Sequence, residues 1–338
     1  MKAVYNVSML KLVKVVLDVP INEPFDYTCD TIKAKVGSRV SVSFGRSSRL
    51  GVIIDIKGLE DGPKTYKLKK ISQLIDETPI LSKEILKTCK WAASYYHHPI
   101  GQVVFSALSP LHRKDKKCPK KILEIVHKNT EKDLKLNDEQ NKIYTDLIKY
   151  KEAFRINVIR GVTGSGKTEL YVKLAQDSLK DNSQILVMVP EINLIPQTIE
   201  RFRRYLDIEP VQYHSNLTAT QKYKVWEACS RERNIIVIGT RSSVFLPFKK
   251  LSLIMIDEEH DSAYKQTEKF KYNARDIGIL RGLNFKCPVI LGTATPSFET
   301  IHNININKYS EYRLEKRFHK AKLPLITIID SSIDRPDE

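Results

Sequence analysis

The apolar segment Ile156–Arg160 runs directly into Gly161-Val-Thr-Gly-Ser-Gly-Lys-Thr168, a G-x-x-x-x-G-K-T loop, and this junction constrains the chain more than any other feature. A strand that ends in glycines and continues as a helix leaves the helix N-terminus facing whatever the loop encloses. There, unpaired N–H groups and the helix dipole favour an anion. Gly161, Val162, Thr163, Gly164, Ser165 and Gly166 supply the backbone of a phosphate cradle, Lys167 reaches the β/γ-phosphates, and Thr168 offers a hydroxyl to Mg²⁺. About 90 residues beyond Lys167 a second apolar run, Leu253–Ile256, ends in Asp257-Glu-Glu-His260. As a strand buried on both faces it delivers Asp257 to the metal and Glu258 to an attacking water.

Short apolar runs alternate with helical patterns from about residue 157 onward, which predicts a parallel sheet covered on both faces. The expected strands are Ile156–Arg160, Gln184–Val189, Pro210–His214, Ile235–Gly239, Leu253–Asp257 and Pro288–Gly292. Ile192, Ile195, Ile199, Phe202 and Leu206 recur at helical spacing, so the segment between the second and third strands is a helix with one apolar stripe. The helix opening at Gly166 buries Leu170 and Leu174. Before residue 110 the texture changes: Val13–Leu17, Val40–Phe44 and Leu50–Ile56 read as strands of a small barrel or sheet, and Ser82–Tyr96 as a helix with Ile85, Leu86, Cys89, Ala92 and Ala93 inward. The stretch His112-Arg-Lys-Asp-Lys-Lys-Cys-Pro-Lys-Lys121 is a basic connector, either solvated or touching phosphate. The expected division is a β-rich domain at 1–110, a linker at 111–135, an α/β lobe at 136–330 and a tail at 331–338.

Fifty-six Lys and Arg against 40 Asp and Glu give a net charge of +16, which suits a polyanionic partner. No apolar stretch approaches the ~18 residues of a membrane span, and Lys11 and Lys14 interrupt the apolar residues near the N-terminus, against a signal peptide. The five cysteines, Cys29, Cys89, Cys118, Cys229 and Cys287, form no C-x-x-C pair and no zinc spacing, and read as reduced thiols.

Further strings narrow the class. Leu291-Gly-Thr-Ala-Thr-Pro-Ser297 completes, with the phosphate loop and the Asp257 run, the ordered segments of a nucleotide-driven motor, and Val189-Pro-Glu-Ile-Asn-Leu-Ile-Pro-Gln197, Tyr213-His-Ser-Asn-Leu-Thr218, Gly239-Thr-Arg-Ser-Ser-Val-Phe245 and Asp257-Glu-Glu-His-Asp261 resemble the superfamily-2 helicase core of the PriA family. Leu17-Asp-Val-Pro20, Pro24-Phe-Asp-Tyr27, Phe44-Gly-Arg46 and Trp91-Ala-Ala-Ser-Tyr-Tyr-His-His-Pro-Ile-Gly101 resemble the same family. The resemblance covers most of residues 13–110 and 136–330, and its most specific piece is the Trp91 string, which has no generic ATPase meaning.

The resemblance implies a RecA-like P-loop helicase lobe preceded by a small β-rich DNA-binding domain. It also implies an ATP- and Mg²⁺-dependent 3′-to-5′ DNA helicase of replication restart, cytoplasmic and nucleoid-associated in a bacterium. Its partners would be forked DNA, single-stranded DNA with a free 3′ end, primosome proteins and single-strand-binding protein. By residue match Phe25, Asp26, Gly45 and Lys69 form a pocket for a 3′ end, in which a ring stacks on the last base and a carboxylate accepts from the terminal hydroxyl. Read from the residues alone, Phe25 is core and Asp26 a turn residue. Gln140 falls where such helicases read adenine, or else faces solvent. Arg241 contacts a tracking-strand phosphate or caps local structure. Tyr264, Phe270 and Tyr272 lie in a segment resembling the family's aromatic-rich loop, where they stack on bases or pack beneath the loop. His260, Thr293 and Thr295 are placed to couple nucleotide state to DNA.

Two departures from the family pattern set further expectations. Only about 25 residues separate Pro110 from Leu136, where the family commonly inserts a winged-helix domain. The chain also stops at Glu338, shortly after Leu325–Asp330, with no counterpart of a second motor lobe, its arginine finger or the cysteine ligands of the family's zinc. The expectation is therefore a chain with little or no turnover of its own. The alternatives are a non-catalytic fragment that binds nucleotide and DNA ends, and another superfamily-2 translocase.

Overall fold

The computed structural model describes residues 10–58, 68–114, 123–124, 126, 134–162, 164–179, 183–231 and 234–315. Thr163, Cys118, most of the basic connector and Leu325–Asp330 lie outside the described residues.

The N-terminal region is built on strands β1 (Lys11–Leu17), β2 (Phe25–Cys29), β3 (Arg39–Phe44), β4 (Ser47–Gly58), β5 (Lys69–Lys70) and β6 (Gln73–Leu74). They form one sheet in the order β5-β2-β1-β4-β3-β6, an open sheet rather than a barrel. Its long pairings, β1 with β2, β1 with β4 and β3 with β4, are antiparallel. Unlike a sheet with one wet face, β1 buries residues on both sides. Val13, Val15 and Leu17 pack with Tyr27, Val40, Val42 and Ile53 on one face, while Val16 joins Val52 and Ile54 on the other.

That second face is covered by a helical hairpin, α1 (Lys83–Tyr95) and α2 (Ile100–Ser106). Ser82 caps α1 by accepting from the Ile85 N–H, a device worth about 0.5–2 kcal/mol. Ile85, Leu86, Cys89 and Ala92 are buried and Ala93 is partly buried, as the periodicity predicts. The Trp91 string is the corner of this hairpin: His97 takes the left-handed conformation at φ 49°, and Pro99 precedes α2. At Gly101 a Cβ would come within 1.8 Å of the Leu17 carbonyl, so only glycine lets α2 lie this close to β1.

The second region contains α3 (Asp138–Leu147), β7 (Ile156–Gly161), α4 (Lys167–Ser178), β8 (Gln184–Met188), α5 (Leu194–Arg203), β9 (Val211–Tyr213), α6 (Ala219–Cys229), β10 (Ile235–Gly239) and β11 (Leu251–Ile256). A short hairpin, β12 (Lys265–Gln266) with β13 (Tyr272–Asn273), leads into α7 (Ala274–Phe285), β14 (Val289–Thr293), α8 (Phe298–Asn305) and β15 (Ser310–Leu314). Seven strands form a parallel sheet in the order β15-β7-β14-β11-β8-β10-β9. All six expected strands are present, and β15, an unforeseen edge strand, pairs with β7.

Each central strand alternates between two cores. In β10, Ile236 and Ile238 face the core that holds Ile143 and Leu147 of α3, Leu170 and Leu174 of α4, and Ile195 and Phe202 of α5. Ile235 and Val237 face a core shared with Trp226 of α6 and Ile277 of α7. This second core is continuous with the face of the N-terminal sheet that carries α1 and α2. The seam is also hydrogen bonded: the Trp226 indole donates to the Ala107 carbonyl at 2.8 Å. Fully buried Arg281 on α7 meets Glu84 on α1 at 2.8 Å and donates to the Val244 and Leu246 carbonyls.

The start of the basic connector is part of this seam, so at His112 the reading as solvated or phosphate-bound is corrected. His112 is buried, its ring packed on Trp226 and Tyr223, with Nδ1 2.8 Å from the Ser109 hydroxyl and Nε2 3.6 Å from Glu227. Burial holds the imidazole below its ordinary pKa. Cys29, Cys89, Cys229 and Cys287 are buried free thiols.

Candidate nucleotide site and its neighbours

The carboxyl ends of β7, β11 and β14 lie side by side, the position at which open α/β sheets bind ligands. Gly164 and Gly166 adopt φ of +78° and +89°, conformations glycine tolerates, and Gly166 turns the loop into α4. Lys167 is buried, donating to the Gly161 carbonyl at 2.7 Å and lying 3.4 Å from Glu258 Oε1. Asp257 Oδ1 accepts from the Tyr171 hydroxyl at 3.1 Å. Burial, with the charge of Glu258 beside it, raises the Asp257 carboxyl above its ordinary pKa, and Lys167 opposes the shift. Glu258 itself sits in the left-handed region at φ 47°, a strained placement for a residue with a Cβ.

Val162, Gly164, Ser165, Gly166, Lys167, Thr168, Asp257 and Glu258 line one cavity of about 270 Å³, joined by Glu169 and Arg201. Within it the buried Ser165 hydroxyl has no hydrogen-bond partner among the described residues. Left-handed glycines, a buried ammonium, a first-turn hydroxyl and a carboxylate pair form the donor set that an Mg²⁺-nucleotide requires. Lys167 and the loop would hold phosphate, and Thr168 with Asp257 the metal. Among the described residues no group of three or more His, Cys, Asp or Glu is arranged to hold a metal ion by itself.

The expected coupling residues meet. His260 Nδ1 lies 2.8 Å from Thr293 Oγ1 and 3.7 Å from Glu258 Oε2, and His260 Nε2 is 3.4 Å from Thr295 Oγ1. A polar path thus joins the carboxylate of β11 to the end of β14. Beneath it Glu259, which motif reading left without a role, is a buried hub. It accepts from Arg275 Nη1 at 2.9 Å and from the Ser297 N–H at 2.9 Å, tying α7 to the loop before α8.

Other expected residues sit differently. Gln140 does not face solvent: buried, it accepts from the Asn137 N–H at 2.9 Å and donates to the Gly166 carbonyl at 3.0 Å. It steadies the phosphate loop from behind. Arg241 follows the capping alternative, with Nη1 3.2 Å from the Ala263 carbonyl and 3.5 Å from that of Lys265. Tyr264, Phe270 and Tyr272 are all buried, so of the two expectations the structure follows packing beneath the loop and not faces presented to bases. The Tyr264 hydroxyl is 2.6 Å from the Asp257 carbonyl. Phe270 stacks on Tyr272, packs against Phe245 and His98, and reaches the edge of Tyr96, so the loop rests on the corner of the N-terminal hairpin. Phe245, Phe270 and Tyr272 line a cavity of about 360 Å³ at this junction together with Arg113, Lys222 and Lys269.

In the N-terminal sheet Asp26 is a strand residue and not a turn. It pairs in register with Lys14, whose ammonium is 3.1 Å from Asp26 Oδ1. Phe25 is partly buried, edge-on to Phe44 at 5.0 Å, and Lys69 lies beside Tyr27 in the β2–β5 register. Gly45 follows Phe44 at φ +60°, with open space where a Cβ would stand. Three residues that the structure places at or beside the candidate site escaped motif reading: Tyr171, Glu259 and Arg201. Tyr171 had a signal, being four residues after Lys167 and so on the same helical face.

A phosphate loop, a strand-borne carboxylate pair and a His–Thr relay at the ends of one parallel sheet define a helicase-type ATP-binding domain of the RecA-like kind. Residues 137–304 match the DEAD/DEAH box helicase family and residues 14–109 the 3′DNA-binding domain (3′BD) of PriA. The chain is 32% identical to replication restart protein PriA of Haemophilus influenzae, covering 91% of this chain and 52% of that protein. It is 37% identical to that of Rickettsia conorii, covering 96% and 49% respectively. A solved structure of RecG bound to a three-way DNA junction is 21% identical with a TM-score of 0.42, over 54% of this chain and 24% of that one. The chain belongs to the PriA family, and it spans about half the length of the curated relatives it matches. The alignment with the Haemophilus protein runs over 383 residues and that with the Rickettsia protein over 327, so the former carries sequence that this chain lacks.

Proposed function

We propose that this chain serves the ATP-dependent, 3′-to-5′ DNA helicase of replication restart, binding Mg²⁺-ATP in its α/β lobe and a free 3′ DNA end on its N-terminal sheet. The observation that carries this reading is the convergence of Lys167, Thr168, Asp257 and Glu258 on one cavity, with His260 linking Glu258 to Thr293. Its support on the DNA side is the 3′DNA-binding-domain match together with the net charge of +16. Forked DNA, other primosome proteins and single-strand-binding protein are the partners that fit such a role, and salt-sensitive affinity is its signature.

Every nucleotide-facing residue of the site comes from one lobe, whereas an opposing arginine contributes ~10³–10⁵ in rate in related phosphoryl-transfer enzymes. The chain alone is therefore expected to bind Mg²⁺-ATP with little turnover. Steady-state ATPase with and without forked DNA tests this. Robust DNA-stimulated hydrolysis that disappears in Glu258→Gln overturns the expectation of low turnover and leaves the site assignment standing.

A further inference from the structure

Arg201 leaves the last turn of α5 and reaches the nucleotide cavity, where its Nη1 donates to Thr168 Oγ1 at 2.9 Å. Its two neighbours are occupied elsewhere. Arg203 binds Glu209 at 2.5 Å and Glu200 at 3.1 Å, and Arg204 lies 3.5 Å from Glu200. Among the described residues Arg201 makes no ion pair, and Thr168 is its one hydrogen-bond partner. A guanidinium carries five N–H donors in a planar fork that matches two phosphate oxygens. Here that fork lines a cavity whose other cation is Lys167 and whose loop is shaped for an anion.

We propose that Arg201 is a nucleotide-binding residue that contacts the terminal phosphate of ATP and so distinguishes ATP from ADP. The inference rests on the reading of the cavity as a nucleotide site. Two features place the contact at the terminal phosphate. The hydroxyl that Arg201 holds is the one a loop of this type would offer to Mg²⁺, so the guanidinium stands at the end of the cavity where the phosphates would lie. Thr168 Oγ1 uses one of its two lone pairs on Arg201, and the guanidinium keeps further N–H donors that would be in reach of the γ-phosphate that ATP carries and ADP lacks.

The test is equilibrium titration of the full chain with Mg²⁺-ADP and with the Mg²⁺ complex of β,γ-imido-ATP at fixed ionic strength. Arg201→Ala is expected to weaken the ATP analogue by about tenfold or more, as loss of a charge-assisted hydrogen bond does, while ADP affinity changes less than about threefold. Arg201→Lys recovers part of the loss, and thermal melting of both variants reports that the fold is intact. An equal loss for both nucleotides, or none for either, overturns the assignment of Arg201. Lys167→Ala separates the two levels of inference: it should abolish binding of both nucleotides. If it leaves both unchanged, the nucleotide site itself is wrong and the role of Arg201 falls with it.

Discussion

The two sheets solve opposite problems. The parallel lobe gathers its chemistry at the carboxyl ends of buried strands, where the loop after β7, the acids after β11 and the threonines after β14 meet because the sheet sets them side by side. The antiparallel sheet instead assembles its candidate end pocket through cross-strand register, with Lys14 opposite Asp26 and Phe25 against Phe44. In the first case burial holds a site together whether or not ligand is present. In the second, the residues proposed to meet DNA already satisfy one another, so binding an end means exchanging partners. A site of strand ends is preorganised, and a site of paired side chains is competitive.

The seam makes the two sheets parts of one folded unit. Glu84→Ala leaves Arg281 buried without its counter-charge and should cost about 3–5 kcal/mol, seen as a lower urea midpoint. A single transition shifted for both regions sustains the picture, whereas two separated transitions would show that the sheets fold apart. At the end pocket, a 3′-phosphate should bind more weakly than a 3′-hydroxyl by about 1–3 kcal/mol. Asp26→Ala should erase that gap, since it removes both the carboxylate that would repel the added phosphate and the acceptor for the free hydroxyl. Equal affinity of the parent chain for both ends would make Phe25 and Asp26 structural.

A smaller effect probes the nucleotide site. Because the folded-state pKa of Asp257 is raised, it contributes stability at pH values below its unfolded pKa that is lost as pH rises through the folded value. Asp257→Asn should therefore stabilise the free chain at neutral pH by about 0.5–2 kcal/mol and flatten that part of the pH profile, while weakening Mg²⁺-dependent nucleotide binding. Unchanged stability across the same pH range would mean that Asp257 is better solvated than its surroundings indicate.

What the sequence made legible follows the same division. The loop from Gly161 to Thr168 and the Asp257–His260 run are contiguous, so their chemistry can be read without knowing the fold. Five of the six expected parallel strands were legible because a strand buried on both faces is an apolar run, whereas β9, Val-Gln-Tyr, is a partly buried edge strand legible only from the alternation of strands and helices around it. The edge strand β15, Ser-Glu-Tyr-Arg-Leu, was not, since its exposed side admits polar residues. β2 was missed although Phe25, Tyr27 and Cys29 alternate, because it is five residues long and follows Pro20 and Pro24 closely. The Arg201–Thr168 contact joins residues of two helices that only packing brings together. Burial of Tyr264, Phe270 and Tyr272 was equally hidden: a segment rich in rings and lysines reads the same whether its rings face a ligand or the protein's own hairpin.

The core shared by the helical hairpin and the parallel lobe changes what a cut in the connector would do. Val16, Ile85 and Phe105 on one side and Trp226, Ile277 and Val289 on the other belong to one apolar mass. A protease that severed the chain between residues 114 and 134 would therefore produce two pieces that remain mated, each lacking the surface that keeps the other soluble. Expressed separately, neither half would carry its interior with it, and a graft of this lobe onto a foreign end-binding sheet would inherit an unmatched wall.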